Sequence, residues 1–185
     1  MAILFLSPIL LLLTILGFWF MKGNPFFVQP RPGRHEKIFH LIKFRTMTCQ
    51  KGADGNFFPD EQRMVPYGSF LRSTSLDELP ELFNILIGDM AIVGPRPLLV
   101  KYLPLYSEEQ HHRHDVRPGL TGYAQVHGRN ATTWEERFQL DLEYVKDVSL
   151  LNDIKILLRT VLIVLRREGI SQQGNVTMTE FHGES

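Results

Sequence analysis

Cysteine is almost absent from this chain of 185 residues, since Cys49 is its single cysteine. An internal disulfide framework is therefore excluded, and the composition is typical of a reducing compartment. An excess of basic residues is also missing, because 20 Lys and Arg residues balance 20 Asp and Glu residues. This balance argues against a general nucleic-acid binder, so we expect no nucleic-acid partner.

Charge is missing from the N-terminal segment. Residues 1–21 contain no Asp, Glu, Lys, Arg or His, and sixteen of the first twenty residues are apolar. The segment predicts a membrane-seeking helix ahead of a soluble domain, with Trp19 and Phe20 beside Lys22 as interfacial anchors. A buried core helix is the alternative. A signal peptide is disfavoured, because no basic region precedes the apolar residues and the side chains near Trp19 are too large for a cleavage site.

The dipeptide Ser7-Pro8 interrupts this apolar segment. Proline removes a helix hydrogen bond and its ring clashes with the preceding turn, so we expect the helix to bend or break here. The thirteen residues that follow, 9–21, reach about 20 Å as a helix, which is short of a hydrocarbon core of about 30 Å. The pattern favours a re-entrant or half-immersed element over a simple membrane span.

The remaining chain alternates between short strand-like segments and amphipathic helical segments. We therefore predict an α+β fold, in which a small, mainly antiparallel sheet is surrounded by amphipathic helices. A strand is expected at Tyr123–His127, and the strongest helix at Asp153–Arg167, where apolar residues recur at helical spacing. The predicted organisation is a membrane-associated re-entrant helix over residues 1–22 and a soluble domain over residues 23–185.

Basic residues are concentrated after the membrane segment, with six Lys or Arg residues and one Glu between residues 31 and 51. Such a cluster can lie against anionic lipid headgroups. It can also receive a phosphate-bearing substrate, or form a solvated basic strand.

Two adjacent carboxylates, Asp77 and Glu78, follow Ser75 in the pattern of a helix capping box. Acidic residues suit the first turn of any helix, so the pair alone is weak evidence for function. The surroundings strengthen it, because Arg45, Arg72, Arg96 and Arg129 stand beside Pro, Gly, Ser or Thr, where the backbone turns, and Lys43 lies two residues before Arg45. A helix N-terminus with flanking arginines suits a phosphate. A carboxylate that attacks a phosphate needs this cationic screen or a divalent ion.

Five motifs in order along nearly the whole chain resemble the bacterial sugar transferase domain of monotopic phosphoglycosyl transferases. They are Lys43–Met47, Leu71–Asn84, Gly88–Pro97, Val116–Gly122 and Ala124–Arg129. Five ordered motifs are far more specific than a single short one. The small size and the tail Gln173–Thr177 are most similar to the minimal form that starts bacterial N-linked glycan assembly.

The resemblance implies a cytoplasmic catalytic domain at the cell inner membrane. Such enzymes move a sugar 1-phosphate from a UDP-sugar to undecaprenyl phosphate and release UMP. In the family, the Asp of an Asp-Glu pair forms an aspartyl-phosphosugar intermediate and the Glu serves Mg²⁺; Asp77 and Glu78 match these positions. The basic residues expected to contact the substrate or its phosphates are Lys43, Arg45, Arg72, Arg96, Arg117 and Arg129.

Family members carry a longer, basic segment before the Ser-Pro break, so we expect the first arm of the hairpin to be truncated relative to the family. The resemblance favours UDP-N,N′-diacetylbacillosamine as substrate, followed by UDP-GlcNAc-type sugars and UDP-galactose. Membrane lipid and other glycan-assembly enzymes are the expected partners. Two other functions stay open: a non-catalytic membrane scaffold, and a magnesium-dependent nucleotide-sugar hydrolase.

Two further groups of residues are weaker candidates. The run His111–His114 contains metal-ligating side chains, but we expect a solvated helix end, because adjacent helical histidines point in different directions. Asp141 and Glu143 either join the acidic side of the site or lie on a helix surface.

Overall fold

A computed structural model describes residues 2–128, 132–166 and 180–183. The helices in these ranges are α1 (Ala2–Met21), α2 (Asp60–Arg63), α3 (Pro66–Thr74), α4 (Glu81–Ile87), α5 (Glu108–His111), α6 (Tyr123–Val126), α7 (Trp134–Lys146) and α8 (Leu150–Arg166). The strands are β1 (Phe26–Pro32), β2 (Ile38–Phe44), β3 (Ala91–Val93) and β4 (Gly119–Thr121). Short 3₁₀ turns cover Arg34–Glu36, Leu76–Glu78, Val100–Leu105 and His112–His114.

The chain divides into two compact units. The first comprises Met1–Val28 and Ile42–Phe83, and the second comprises Gln29–Leu41 and Asn84–Ser185. Helices and strands are mixed along the chain, which confirms the predicted α+β class. The predicted division into a membrane part, 1–22, and a catalytic part, 23–185, stays a prediction.

The strands form two separate two-stranded sheets. β1 and β2 are joined by only five residues and form the antiparallel pair. β3 and β4 instead pair in parallel, with Ala91 opposite Gly119 and Val93 opposite Thr121. The sequence did not indicate this parallel pair, because each of its strands has only three residues.

The core of the first unit forms where one face of α1 packs on α3 and the end of β2. Leu10, Leu13, Phe44, Tyr67 and Leu71 are buried together. The Tyr67 hydroxyl donates a hydrogen bond of 2.7 Å to the Leu13 carbonyl. The opposite side of α1 is apolar and exposed, so this helix buries a face against protein and presents another to its surroundings.

The structure corrects the expected break of α1 at Ser7-Pro8, since the helix continues through Pro8, while a bend at this point stays a prediction. Proline has no N–H to donate to the carbonyl of Leu4, four residues earlier. The Ser7 hydroxyl donates to this carbonyl instead, at 2.8 Å. The side chain therefore replaces the lost backbone bond, and the helical conformation survives.

The second unit is built around β3 and β4, which contact α8. Val93, Val126, Tyr144 and Ile156 are buried together there, and the Tyr144 hydroxyl donates to the Val93 carbonyl at 3.2 Å. A separate aromatic cluster is formed by Tyr102, Tyr106, Phe138 and Phe181 with Leu98.

Two local predictions in this unit have different outcomes. The expected strand at Tyr123–His127 is wrong, since Tyr123–Val126 forms the helical turn α6. β4 ends at Thr121, and after Gly122 the chain turns into α6 instead of continuing as a strand. The predicted helix at Asp153–Arg167 is confirmed by α8, which ends at Arg166 within the described residues.

Candidate active site

A sharp turn presents the adjacent carboxylates Asp77 and Glu78. Helix α3 ends at Thr74, the next residue Ser75 adopts a left-handed conformation with φ 56°, and the 3₁₀ turn Leu76–Glu78 follows directly. The capping box expected at Ser75 does not form, because the Ser75 side chain makes no capping hydrogen bond. Ser75 is instead the C-terminal capping residue of α3.

Apolar anchors on both sides of the turn fix the direction of the carboxylates. Leu76 and Leu79 pack against the core of the first unit, three residues apart. In a 3₁₀ turn, residues three apart lie above one another, so the two leucines share one face. Asp77 and Glu78 occupy the remaining faces, and both side chains are half-buried.

Lys43 contacts two carboxylates at this turn. Its Nζ lies 3.0 Å from Oε1 of Glu78 and 2.9 Å from Oε1 of Glu81. Glu81 is buried, with 2% of its side chain exposed, whereas 20% of Glu78 is exposed. Sequence reasoning missed Glu81; its position three residues after Glu78 was the available signal, since side chains at this spacing are neighbours on a helix.

Arg72 and Arg45 belong to the same unit as the Asp77-Glu78 turn. The Nε of Arg72 donates to the Thr46 hydroxyl at 3.2 Å, and Thr46 is buried. This contact depends on Gly68, where an added Cβ would lie 1.8 Å from the Thr46 carbonyl oxygen. The backbone amide of Arg45 donates to Pro25 at 2.7 Å. Roles for these arginines in phosphate binding stay predictions.

Arg96 and Arg117 belong to the second unit, where their loops touch. Gly94 precedes Arg96 by two residues, and a Cβ added to it would lie 2.4 Å from the Arg117 carbonyl oxygen. The Gly94 amide donates to Thr121 at 2.8 Å, and Pro95 accepts from Gly119 at 3.0 Å. Arg96 is half-buried and Arg117 is exposed. Arg129 lies outside the described residues.

A buried ion pair lies beside the Arg96 loop. The Nη2 of Arg113 is 2.6 Å from Oδ2 of Asp141, and 1% of each side chain is exposed. Burial raises the pKa of Asp141, against the opposing attraction of Arg113. Burial, followed by the charge of Arg96, lowers the pKa of Arg137 to about 10. Several guanidinium groups therefore share one region of the second unit, which suits an anionic ligand.

The candidate metal run at 111–114 faces several different partners. His111 pairs with Glu36, His112 Nδ1 lies 2.9 Å from Asp115, and His114 donates to the Gly33 carbonyl at 3.2 Å. The prediction of a solvated helix end holds for His112, which is exposed, but it is wrong for Arg113 and His114, which are buried. The described ranges contain no group of three or more His, Cys, Asp or Glu residues that could hold a metal ion.

A magnesium ion does not require such a group. Mg²⁺ is commonly held by one or two carboxylates together with the phosphates of a substrate. Glu78 offers a partly exposed carboxylate, a hard oxygen ligand of the type that Mg²⁺ prefers. The donor set at the Asp77-Glu78 turn therefore fits this metal.

A cleft in the second unit does not suit phosphate. A cleft of about 490 Å³ in the second unit is lined by residues that include His127, Glu136, Gln139 and Glu143. Its two carboxylates would repel a phosphate. Glu143 is thus a surface residue of this cleft, whereas Asp141 belongs to the buried pair with Arg113.

Comparisons with known proteins agree with the motifs. Residues 1–167 match the family model described as bacterial sugar transferase. The chain is 51% identical over 178 residues to "Uncharacterized sugar transferase EpsL" of Bacillus subtilis, covering 96% of this chain and 88% of that protein.

Two longer relatives have names that state a reaction. "Undecaprenyl-phosphate galactose phosphotransferase" of Salmonella typhimurium is 36% identical over 91% of this chain and 39% of its own length. "UDP-glucose:undecaprenyl-phosphate glucose-1-phosphate transferase" of Xanthomonas campestris is 38% identical over 89% of this chain and 36% of its own length. The chain thus spans less than half of each of these two proteins. The match over residues 1–167 shows that the chain belongs to the bacterial sugar transferase family.

Proposed function

We propose that this protein is a phosphoglycosyl transferase, which moves a sugar 1-phosphate from a UDP-sugar to undecaprenyl phosphate and releases UMP. The observation that carries the proposal is the turn that presents Asp77 beside Glu78, with Lys43 bonded to Glu78. The printed names of the Salmonella and Xanthomonas relatives support this class of reaction.

The proposed reaction divides the transfer into two displacements at one phosphorus atom. First, a carboxylate oxygen of Asp77 bonds to the β-phosphorus of the UDP-sugar, and the bond from that phosphorus to the UMP oxygen breaks. UMP leaves with the electron pair, and Asp77 carries the phosphosugar. An oxygen of undecaprenyl phosphate then attacks the same phosphorus and displaces the Asp77 carboxylate, which regenerates the enzyme.

The residues around Asp77 supply the charge that this chemistry needs. A carboxylate and a pyrophosphate repel one another, so an attack requires nearby cations. Lys43 of β2 forms ion pairs with Glu78 and Glu81 at this turn. Arg72, near the end of α3, donates a hydrogen bond to Thr46. Arg96 and Arg117 belong to the second unit, and their guanidinium groups are of the type that binds phosphate oxygens.

Glu78 is the proposed ligand for Mg²⁺. When bound, the metal neutralises charge on the pyrophosphate and on the departing UMP. The ion pair with Lys43 keeps the Glu78 carboxylate at the turn beside Asp77. Glu81, which is buried, contributes to the site through Lys43 rather than as an exposed carboxylate.

The location that we propose is the cytoplasmic face of the inner membrane. By length and composition, Ile3–Met21 could cross a membrane. One face of its second half is nevertheless packed on protein, since Leu10, Leu13 and Met21 are buried in the core of the first unit. Because one face of α1 is held against protein and Pro8 lies within the helix, a half-immersed or re-entrant helix is favoured over a full span.

The sugar that we propose follows from the relatives. Their printed names state galactose and glucose. These names favour UDP-galactose or UDP-glucose and give no support to UDP-N,N′-diacetylbacillosamine or to N-linked glycan assembly. We therefore place the two hexoses first and keep the bacillosamine substrate as a second choice.

A panel of UDP-sugars tests the proposal. UMP release is measured for each sugar with the full chain and magnesium, with and without undecaprenyl phosphate. Release of UMP with formation of the lipid-linked product supports the transferase. Sustained turnover without undecaprenyl phosphate identifies the hydrolase, and absence of release from every sugar leaves the scaffold. Either of these two results overturns the proposed function.

A further inference from the structure

The loop that carries Arg96 is held by hydrogen bonds at four consecutive residues. Each residue of Gly94–Pro97 makes a hydrogen bond through its backbone to a different residue elsewhere in the second unit. The partners are Thr121 for Gly94, Gly119 for Pro95, Arg113 for Arg96 and Arg31 for Pro97. Two of these anchors are backbone groups of β4, and the other two are arginine side chains.

Arg113 is the anchor that acts on Arg96 itself. Its Nη2 donates to the Arg96 carbonyl at 2.8 Å. The same guanidinium bonds to Asp141 of α7, through Nη2 at 2.6 Å and Nε at 3.2 Å. Because a guanidinium is planar with several donors in fixed directions, its orientation by the carboxylate also fixes the bond to the carbonyl.

Stability alone gives little reason for this buried pair. The rings of Tyr106 and Phe138 lie 5.9 Å and 5.7 Å from the Arg113 guanidinium, so aromatic side chains form part of its surroundings. A buried ion pair in such a place can often be exchanged for apolar side chains of similar volume without loss of stability. Apolar side chains cannot donate a hydrogen bond to the Arg96 carbonyl.

The sequence around Arg96 makes this carbonyl important. Prolines on both sides fix two φ angles of the loop, so the remaining freedom lies largely in the peptide planes next to Arg96. A hydrogen bond to the Arg96 carbonyl holds one of these planes. The direction of the Arg96 side chain then follows from the backbone on which it stands.

We infer that Arg113, oriented by Asp141, is a positioning residue that fixes the backbone of Arg96 and so places the Arg96 guanidinium for a substrate phosphate. The inference rests on the proposed function, in which Arg96 contacts the phosphates of a UDP-sugar. Arg113 itself is buried and acts through Arg96.

The test compares the wild-type full chain with Arg113→Met and with the double variant Arg113→Met, Asp141→Leu. The Kd for UDP is measured by calorimetry, alongside thermal unfolding and the KM and kcat for UMP release. The single variant leaves the Asp141 carboxylate without its guanidinium partner, so we expect a lower unfolding temperature. The double variant should recover this stability, yet its Kd for UDP should stay about tenfold above the wild-type value. Its KM should rise more than its kcat falls.

Arg63→Met is the matched control. Arg63 also joins a carboxylate and a carbonyl, with its Nη2 2.5 Å from Asp60 and its Nη1 3.4 Å from the Thr48 oxygen. It belongs to the first unit, whereas the Arg96 loop belongs to the second. This variant should leave the Kd for UDP unchanged. A double variant at Arg113 and Asp141 with wild-type Kd and KM would overturn the inference, since the pair would then only fill the core.

A combination with Arg96→Ala shows whether Arg113 acts through Arg96. Adding the double variant to Arg96→Ala should raise the Kd for UDP no further, because both changes remove the same interaction. A further additive loss, or no effect of Arg96→Ala alone, overturns the inference. The proposed function itself fails if the wild-type protein releases UMP from no UDP-sugar. This result is distinguishable from failure of the inference, because the Kd for UDP is measured without turnover.

Discussion

The ammonium of Lys43 lies 3.0 Å from the carboxylate of Glu78, so the end of β2 holds the second acidic residue of the Asp77-Glu78 turn. The same ammonium neutralises Glu81, which is buried. One cation therefore supports both the fold and the candidate site of the first unit.

Replacing Lys43 by Met should destabilise the protein by about 2 kcal/mol. Removing one partner of a buried ion pair costs about 3–5 kcal/mol, and the partial exposure of Lys43 and Glu78 reduces this figure. Chemical denaturation of the protein in detergent measures the change. Lys51→Met is the control, because Lys51 is exposed and lies over the Phe57 ring at 4.9 Å. Equal stability of the two variants would contradict the role given to Lys43.

Asp77→Asn should reduce UMP release by at least about a thousandfold and leave the unfolding temperature unchanged. The side chain keeps its size but loses the anionic oxygen that attacks phosphorus, and losses for an essential nucleophile reach several powers of ten. With a UDP-sugar labelled in the sugar and no lipid acceptor, wild-type protein should retain the label and the variant should not. Glu61→Gln, an exposed carboxylate of α2, serves as control. Retained label in Asp77→Asn would place the nucleophile elsewhere.

Glu78→Gln should also lose activity, but in a way that magnesium partly restores. The amide is a weaker ligand than the carboxylate, so the variant should require a higher magnesium concentration for half-maximal rate. A magnesium titration of UMP release in wild type, Glu78→Gln and Asp77→Asn separates the two residues. The same half-maximal concentration in wild type and Glu78→Gln would remove Glu78 from metal binding.

Sequence patterns predicted the broad fold and selected the Asp77-Glu78 pair as the candidate site, but they did not indicate how the turn presents that pair. The S-x-x-E pattern at Ser75 predicted a capped helix, whereas the structure has a left-handed residue followed by a 3₁₀ turn. Local propensity favoured the cap, but the packing of Leu76 and Leu79 on the core decides the backbone. A motif therefore locates the residues, and tertiary packing determines their geometry.

Long-range contacts were the part that the sequence could not supply. The parallel pairing of β3 with β4 joins residues separated by more than twenty positions, and neither strand is long enough for periodicity to reveal it. The hydrogen bond from Arg113 to the Arg96 carbonyl could not be predicted either, because no sequence motif or periodicity connects the two segments. Arg113 was seen only as part of a run of histidines.

The stability of the second unit should fall in mild acid because of His114. Burial, followed by the charge of Arg113, lowers the pKa of His114 from 6.5 to about 4. The unfolded chain takes up a proton below about pH 6.5, while the folded protein resists protonation until about pH 4. The contribution of neutral His114 is therefore fully present above pH 6.5 and is lost progressively between pH 6.5 and pH 4.

His114→Gln tests this dependence. Glutamine can donate to the Gly33 carbonyl as His114 does, but it does not titrate. As the pH falls from 6.5 to 4, the free energy of unfolding of the wild type should decrease by up to about 3 kcal/mol because of His114. The variant should lack this decrease. Denaturation curves at several pH values provide the measurement, with His112→Gln as an exposed control. Parallel pH profiles for wild type and His114→Gln would exclude His114 as the source.

The last prediction concerns the side of the membrane on which α1 begins. The N-terminus should lie on the same side as the catalytic domain, because one face of α1 packs on the core of the first unit and is thereby withheld from lipid. An impermeant maleimide should label Ala2→Cys, in a Cys49→Ser background, only after the cytoplasmic face is opened. The exposed native Cys49 marks the side of the domain in a parallel sample.

Pro8→Ala separates the two possible causes of this topology. The substitution restores a backbone donor to the Leu4 carbonyl without altering the packing of Leu13 against Tyr67. If packing on the domain sets the topology, the label at residue 2 stays on the side of Cys49 in this variant as well. A label that moves to the outer face only in Pro8→Ala would assign the topology to the proline. A wild-type N-terminus labelled from outside would contradict the half-immersed helix and leave a single-pass anchor.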